Sequence, residues 1–161
     1  MGACIVNINI ICVGNIKEDY LVSAINEYKT RISKWANVKI VELKEEKLPK
    51  NYSAKDIEIL VEKESFKIME NIKGYNILMD IQGKQLDSVE LSQKIADIQN
   101  VSSTINFIIG GSHGVSDKLK QQVDYKLSFS KMTFPHQLFR VMLLEQVYRA
   151  FTILNNITYH K

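Results

Sequence analysis

Hydrophobic positions along the chain fall into two alternating patterns, short continuous runs that suit strands and spaced stripes that suit helices. Ile5 to Val13 forms the first run and ends at Gly14. Tyr20, Leu21, Ala24, Ile25, Tyr28 and Ile32 then recur at helical spacing, one apolar stripe of an amphipathic helix. Val38 to Leu43 predicts a second strand, and the charged stretch Lys44 to Asn51, with Pro49, predicts a loop. Ser53 suits an N-cap, with Asp56 at the third position of a capping-box variant. Ile57, Leu60, Val61, Ile68, Met69 and Ile72 carry that helix to about Lys73. Tyr75 to Ile81 predicts a third strand closed by Gln82-Gly83, and Ser88 a cap for a helix through Leu91, Ile95 and Ile98. Thr104 to Ile109 is a continuous apolar run, as a buried parallel strand should be. It enters Gly110-Gly111-Ser112-His113-Gly114. A short helix from about Ser116 to Val123, a strand from Lys126 to Phe129 and a loop from Ser130 to Phe134 follow. Pro135 sits where an N1 proline opens a long helix, and Asn155 to Lys161 forms a tail. Alternating strands and helices predict one α/β domain over residues 1–161, with a mostly parallel sheet flanked by helices.

The 161 residues suit one domain, and 45% hydrophobic with 24% charged residues is ordinary for a globular chain. The net charge of +3 is too small to announce a nucleic-acid partner. Its distribution says more. Residues 1–109 hold 14 basic and 15 acidic side chains, whereas residues 110–161 hold 7 basic and 3 acidic ones. His113, His136 and His160 also lie in that last third, so an anionic partner should meet it. Cys4 and Cys12 share one predicted strand, too far apart to bridge each other, and free thiols suit a reducing cytoplasm. No apolar run approaches the length of a membrane span, and the start lacks the basic region of a signal peptide.

Ligands of open parallel sheets bind beyond the carboxyl ends of the strands. The turn at Gln82-Gly83, the glycine loop 110–114 and the loop 130–134 all qualify. Glycines let backbone approach a ligand closely, though a plain tight turn accounts for the Gly110-Gly111 pair equally well. Gly110-Gly111-Ser112-His113-Gly114 also matches the G-x-S-x-G nucleophile elbow, with Asp117, Asp124, His136 and His160 downstream. A small serine hydrolase acting through Ser112 is therefore the rival reading. The chain has no P-loop and no G-x-G-x-x-G after its first strand. Three scattered histidines without ligand spacing make no metal site.

The segment Leu127-Ser128-Phe129-Ser130-Lys131-Met132-Thr133-Phe134-Pro135-His136-Gln137-Leu138-Phe139-Arg140 is more specific. With Ile109-Gly110-Gly111-Ser112-His113-Gly114, Asp80-Ile81-Gln82-Gly83-Lys84 and the terminal Tyr159-His160-Lys161, it resembles the RlmH (YbeA/OrfX) family of SPOUT-class 23S rRNA methyltransferases. The resemblance runs from about Val6 to Lys161 and leaves residues 1–5 as an extension without an assigned role. It implies a SPOUT-type α/β knot, a C-terminal trefoil that cradles S-adenosylmethionine, and a homodimer. It implies methylation of N3 of a pseudouridine in the helix 69 loop of the large-subunit rRNA, on the assembled ribosome. A non-catalytic ribosome-binding relative would keep the same motifs. The cofactor residues carried over are Met79, Gly110, Phe129, Ser130, Lys131, Met132, Thr133 and Phe134. The family often has leucine at the position of Met79, an exchange that keeps volume and apolarity.

Methyl transfer from a sulfonium needs alignment and exclusion of water, and the target nitrogen must lose a proton. His136 follows Pro135 at a helix start, where the helix dipole disfavours its charged form. It is the candidate base, or else it orders the loop before it. Arg140, one turn on, suits a phosphate or a developing oxyanion, and equally an ion pair at a dimer interface. Tyr159, His160 and Lys161 combine an aromatic ring with cations at a chain end that would otherwise fray, which suits RNA binding.

Overall fold

A computed structural model describes residues 5–161; Cys4 and the rest of the N-terminal extension before Ile5 lie outside the described residues. The elements run β1 (Val6–Val13), α1 (Asp19–Ile32), β2 (Ala36–Leu43), α2 (Ala54–Met69), β3 (Tyr75–Gln85), α3 (Ser88–Gln99), β4 (Thr104–Ile109), α4 (Asp117–Gln122), β5 (Tyr125–Ser128) and α5 (His136–Leu154). The five strands form one sheet in the order β2-β1-β4-β3-β5, and every pair is parallel.

Side chains of a strand alternate between its two faces, and β1 shows what each face needs. Val6, Ile8, Ile10 and Cys12 join the larger core, beneath α1, α3 and α5. Ile11 and Val13 join a smaller core with Ile68 of α2 and Leu119 of α4. The other two residues on that second face, Asn7 and Asn9, are polar. Asn9 donates to Asn106 Oδ1 at 2.9 Å, and Asn106 donates to Asn76 Oδ1 at 2.9 Å and to the Lys73 carbonyl. These three asparagines are in register on β1, β4 and β3. They satisfy one another across the sheet where α2 no longer covers it, which is how a buried asparagine sits inside the otherwise apolar β4 run.

Several boundaries differ from the sequence reading: β2 begins two residues earlier, at Ala36, and β5 lies one residue earlier, at Tyr125–Ser128. The helix expected to reach about Lys73 ends at Met69, with Glu70 as its C-cap. The strand expected to close at Gln82-Gly83 bulges between Met79 and Lys84 and resumes pairing with β5 to Gln85. Asp80 Oδ1 accepts the Gln82 N–H at 2.9 Å and forms the bulge. The N-cap of α3 is Asp87, in a capping box with Glu90, because the Ser88 hydroxyl instead donates to Gln146 of α5 at 2.8 Å. Pro135 is the N-cap of α5 rather than its first helical residue, with ψ of 130°.

From β5 at one edge the chain passes over the carboxyl ends of the sheet. There the first turns of α5 meet β1 and β2: Arg140 donates to the Val13 and Gly14 carbonyls at 3.1 and 2.8 Å and to Glu42 Oε2 at 3.0 Å. This crossing gathers three loops around one place.

Candidate functional site

A cavity of about 350 Å³ opens at the carboxyl ends of β3, β4 and β5, in the size range of small-ligand sites. Leu78 and Met79 of β3, Ile109 of β4 and Leu127 of β5 give it an apolar floor. The glycine loop forms one wall. The 129–134 segment forms another, completed by His136 and Phe139 from α5. Phe139 is the centre of the aromatic part: Phe129 is tilted against it at 5.0 Å between centroids, and Phe134 stacks on it at 6.1 Å. Serines shape the segment. The Ser128 hydroxyl donates to the Ser130 carbonyl at 3.0 Å, and the Ser130 hydroxyl accepts the Met132 N–H at 3.0 Å. These local bonds hold the backbone without a regular element, as hydroxyl turns do. Asp80 and Lys120 bring one charge of each sign to the lining.

The glycine pair has protein neighbours of its own. A Cβ on Gly110 would lie 2.6 Å from Val115 Cγ1, and one on Gly111 would lie 2.5 Å from Glu64 Oε2. Neither glycine has positive φ. A side chain at Gly110 would press on Val115, and one at Gly111 would displace the end of Glu64, so the pair has packing reasons of its own apart from any ligand.

His136 lines the cavity, and its pKa lies below the ordinary histidine value. Enclosure is the larger cause, the Arg140 charge the next, and Glu45 opposes both. The ring is thereby biased towards its neutral form, able to accept a proton. The direction is the one expected at a helix start, but enclosure rather than the helix dipole is its principal cause.

Of the cofactor residues expected from sequence, Met79, Gly110, Phe129, Ser130, Met132, Thr133 and Phe134 all line this cavity, whereas Lys131 is not in its lining. Arg140 is not there either. It is 1% exposed, its guanidinium is committed to Glu42 and two β1-end carbonyls, and its Nε has no partner. In this chain Arg140 ties α5 to the sheet, with its guanidinium turned to Glu42 and the β1-end carbonyls. The tail is likewise docked rather than frayed. The Tyr159 hydroxyl donates to Glu145 Oε1 at 3.0 Å, its ring meets Tyr148 edge-on at 4.9 Å, and Arg149 lies over it at 4.7 Å. Glu145 is nine residues along α5 from His136, roughly 14 Å at 1.5 Å per residue. Tyr159, His160 and Lys161 do not line their own chain's cavity.

Ser112 lines the cavity, but among the described residues no histidine hydrogen-bonds to it. Asp124 is engaged elsewhere, accepting the Asn76 N–H at 2.7 Å. The geometry thus assembles no serine triad. Val115 lines the cavity without belonging to any motif of the sequence, and Ile81 and Phe139 join the lining from the motif segments. Only the fold shows that Phe139, inside an apolar helix, turns towards the 129–134 segment.

A parallel sheet, a cavity beyond its carboxyl edge and an apolar, aromatic lining are the features of an α/β enzyme built for a ligand with a flat apolar part. The family described as "Predicted SPOUT methyltransferase" matches residues 6–160. The ribosomal RNA large subunit methyltransferase H of Fusobacterium nucleatum is 50% identical over 160 residues, covering 96% of this chain and 99% of that one. The protein of the same name from Clostridium botulinum strain Kyoto is 52% identical over 158 residues, with the same coverage. Among solved structures, a probable methylase family protein from Haemophilus influenzae superposes with a TM-score of 0.52 at 14% identity, covering 96% of this chain and 70% of that one. The chain belongs to the SPOUT methyltransferase family, in the branch of these methyltransferase H relatives. It is a methyltransferase, and S-adenosylmethionine is its cofactor.

Proposed function

We propose that this chain transfers the methyl group of S-adenosylmethionine to N3 of a pseudouridine in the helix 69 loop of large-subunit rRNA, on the assembled ribosome. The observation that carries the reading is the convergence of Met79, Gly110, Phe129, Ser130, Met132, Thr133 and Phe134 on one cavity, in a chain half identical to relatives named as ribosomal RNA large subunit methyltransferases. The apolar floor and the aromatic wall suit the adenine ring. The backbone of Phe129, Ser130, Met132, Thr133 and Phe134 suits its polar edge, with Lys131 holding the segment between them. Asp80 complements a positive charge. When bound, the cofactor supplies an activated methyl on a sulfonium. The chain orients the acceptor nitrogen in line with that methyl, excludes water, and accepts the nitrogen's proton at the neutral ring of His136.

The whole chain acts as one domain, in the cytoplasm, where its substrate is. The crossing of the 129–135 segment over the sheet supports the trefoil knot of the class. The chain works as a homodimer. Met132 and Ile81 at the cavity, with Leu138 on the outer side of α5, leave apolar surface at 72%, 56% and 41% exposure for a second copy to cover. Tyr159, His160 and Lys161, distant from their own cavity, belong to RNA contact across that dimer. Among the described residues no helix is long and apolar enough to cross a membrane. Mass spectrometry of rRNA from cells with and without the gene is the test. Loss of one methylated pseudouridine from large-subunit rRNA is expected, and identical rRNA from both would overturn the proposal.

A further inference from the structure

Behind the glycine loop, on the α2 side, lies a second hollow whose lining includes Glu46, Leu60, Glu64, Ser112 and His113. Ser112 and His113 also line the front cavity, so the loop is a partition between the two. Glu64 stands behind that partition and is 2% exposed. One of its carboxylate oxygens accepts the Glu46 N–H at 3.0 Å, and the other, Oε2, is buried without a partner. That second oxygen is the atom a Cβ on Gly111 would approach to 2.5 Å, so the carboxyl group bears on the loop backbone itself. The same turn of α2 reaches further in both directions. The Ser65 hydroxyl accepts the Ser116 N–H at 2.8 Å, and Ser116 caps α4. Lys67 donates to the Lys44 carbonyl at 2.9 Å and pairs with Glu46. One turn of helix thus grips segment 44–46 on one side and loop 111–116 on the other. An unpaired buried carboxylate oxygen is costly, and a leucine would avoid that cost.

We infer that Glu64 is a positioning residue for the cofactor loop: its carboxyl group braces Gly111 from behind, ties it to segment 44–46, and so sets the wall of the front cavity. This rests on the reading of that cavity as the S-adenosylmethionine site. Glu64 touches neither donor nor acceptor, so its removal changes cofactor affinity and leaves the chemistry of the bound state alone.

Calorimetry and steady-state kinetics separate these effects. Glu64→Ala is expected to raise the Kd and KM for S-adenosylmethionine roughly tenfold, with kcat at saturating cofactor within about twofold of the unaltered enzyme. Glu64→Gln keeps the shape and an acceptor for the Glu46 N–H, and should recover most of the affinity. Ile68→Ala removes an equally buried side chain from the same helix. It should lower Tm and leave Kd unchanged. Wild-type Kd in folded Glu64→Ala overturns the inference, and so does an equal rise of Kd in Ile68→Ala. If Glu64→Ala fails to fold, Glu64→Asp withdraws the carboxyl group by one methylene and is read in the same way. If the unaltered protein itself does not bind S-adenosylmethionine, the reading of the front cavity as the cofactor site falls, and this inference falls with it. Tight binding with insensitive Glu64 variants removes this inference alone.

Discussion

Arg140 holds the start of α5 to the ends of two strands, and its loss leaves several acceptors without a donor. Glu42 would lose a charged partner, and the Val13 and Gly14 carbonyls would each lose an N–H. Breaking one side of such a buried arrangement costs on the order of 3 kcal/mol. Arg140→Ala should lower the free energy of unfolding in urea by about that amount. Arg140→Lys should recover only part of it, because one ammonium cannot reproduce the planar fork. A loss below about 1 kcal/mol would contradict the structural role. The sequence showed the arginine but not this role, since its ionic partner lies 98 residues upstream. His136 was more legible, because Pro135 marks the helix start locally. With its folded pKa held below 6.5, the unfolded chain binds the proton first as pH falls. The contribution of His136 to stability is therefore full above about pH 6.5 and declines below it, until the folded ring is protonated too. Urea midpoints measured from about pH 7 down to about pH 5 should fall more steeply for the unaltered protein than for His136→Gln. Parallel curves would show that the folded state does not favour the neutral ring.

At the scale of elements, the register of the sheet hangs on a polar seam. Asn106 lies fully buried between Asn9 and Asn76 and donates to the Lys73 carbonyl as well. A slip of one residue would carry every side chain of β4 to the opposite face and break all of these bonds. Asn106→Leu should cost roughly 2 kcal/mol, because it leaves the Asn9 amide, the Asn76 carbonyl oxygen and the Lys73 carbonyl without partners. Chemical denaturation measures it, and a neutral or stabilising result would show that the seam is dispensable. Strand and helix identities were legible because each has its own period. The termini were less so, because caps answer to tertiary partners. Ser53 caps α2 with Asp56 as its spacing predicts. Ser88 looked equally suited, yet it bonds to α5 and leaves the cap to Asp87. The tail shows the same limit. A chain end with one aromatic residue reads as free, but Glu145, Tyr148 and Arg149 line up on α5 to hold Tyr159.

For the whole molecule, the free positive charge is smaller than its count in the sequence. Residues 110–161 hold seven basic and three acidic side chains, which pointed to this third as the face for an anion. Two of the seven are already engaged: Arg140 is buried against Glu42, and Arg149 pairs with Glu145 at 2.6 Å. Lys118, Lys120, Lys126, Lys131 and Lys161 remain. Phosphate neutralisation by about five lysines gives weak, salt-sensitive association with free RNA. The cavity is nonetheless shaped in detail by the aromatic contacts of Phe139 and the hydroxyl turns at Ser128 and Ser130. On the proposed function, precision at the cavity with so little grip around it leaves the positioning of the acceptor to the substrate's own architecture. If the proposed substrate is the true one, assembled ribosomes should be methylated far faster than an isolated helix 69 hairpin, by at least about a hundredfold in kcat/KM at physiological salt. The deficit of the hairpin should shrink as salt is lowered, because weak phosphate contacts then strengthen. Initial rates on the two substrates across a salt series measure both effects. Equal rates at physiological salt would mean that the chain carries its own recognition of the loop, and the division of labour between enzyme and ribosome would be wrong.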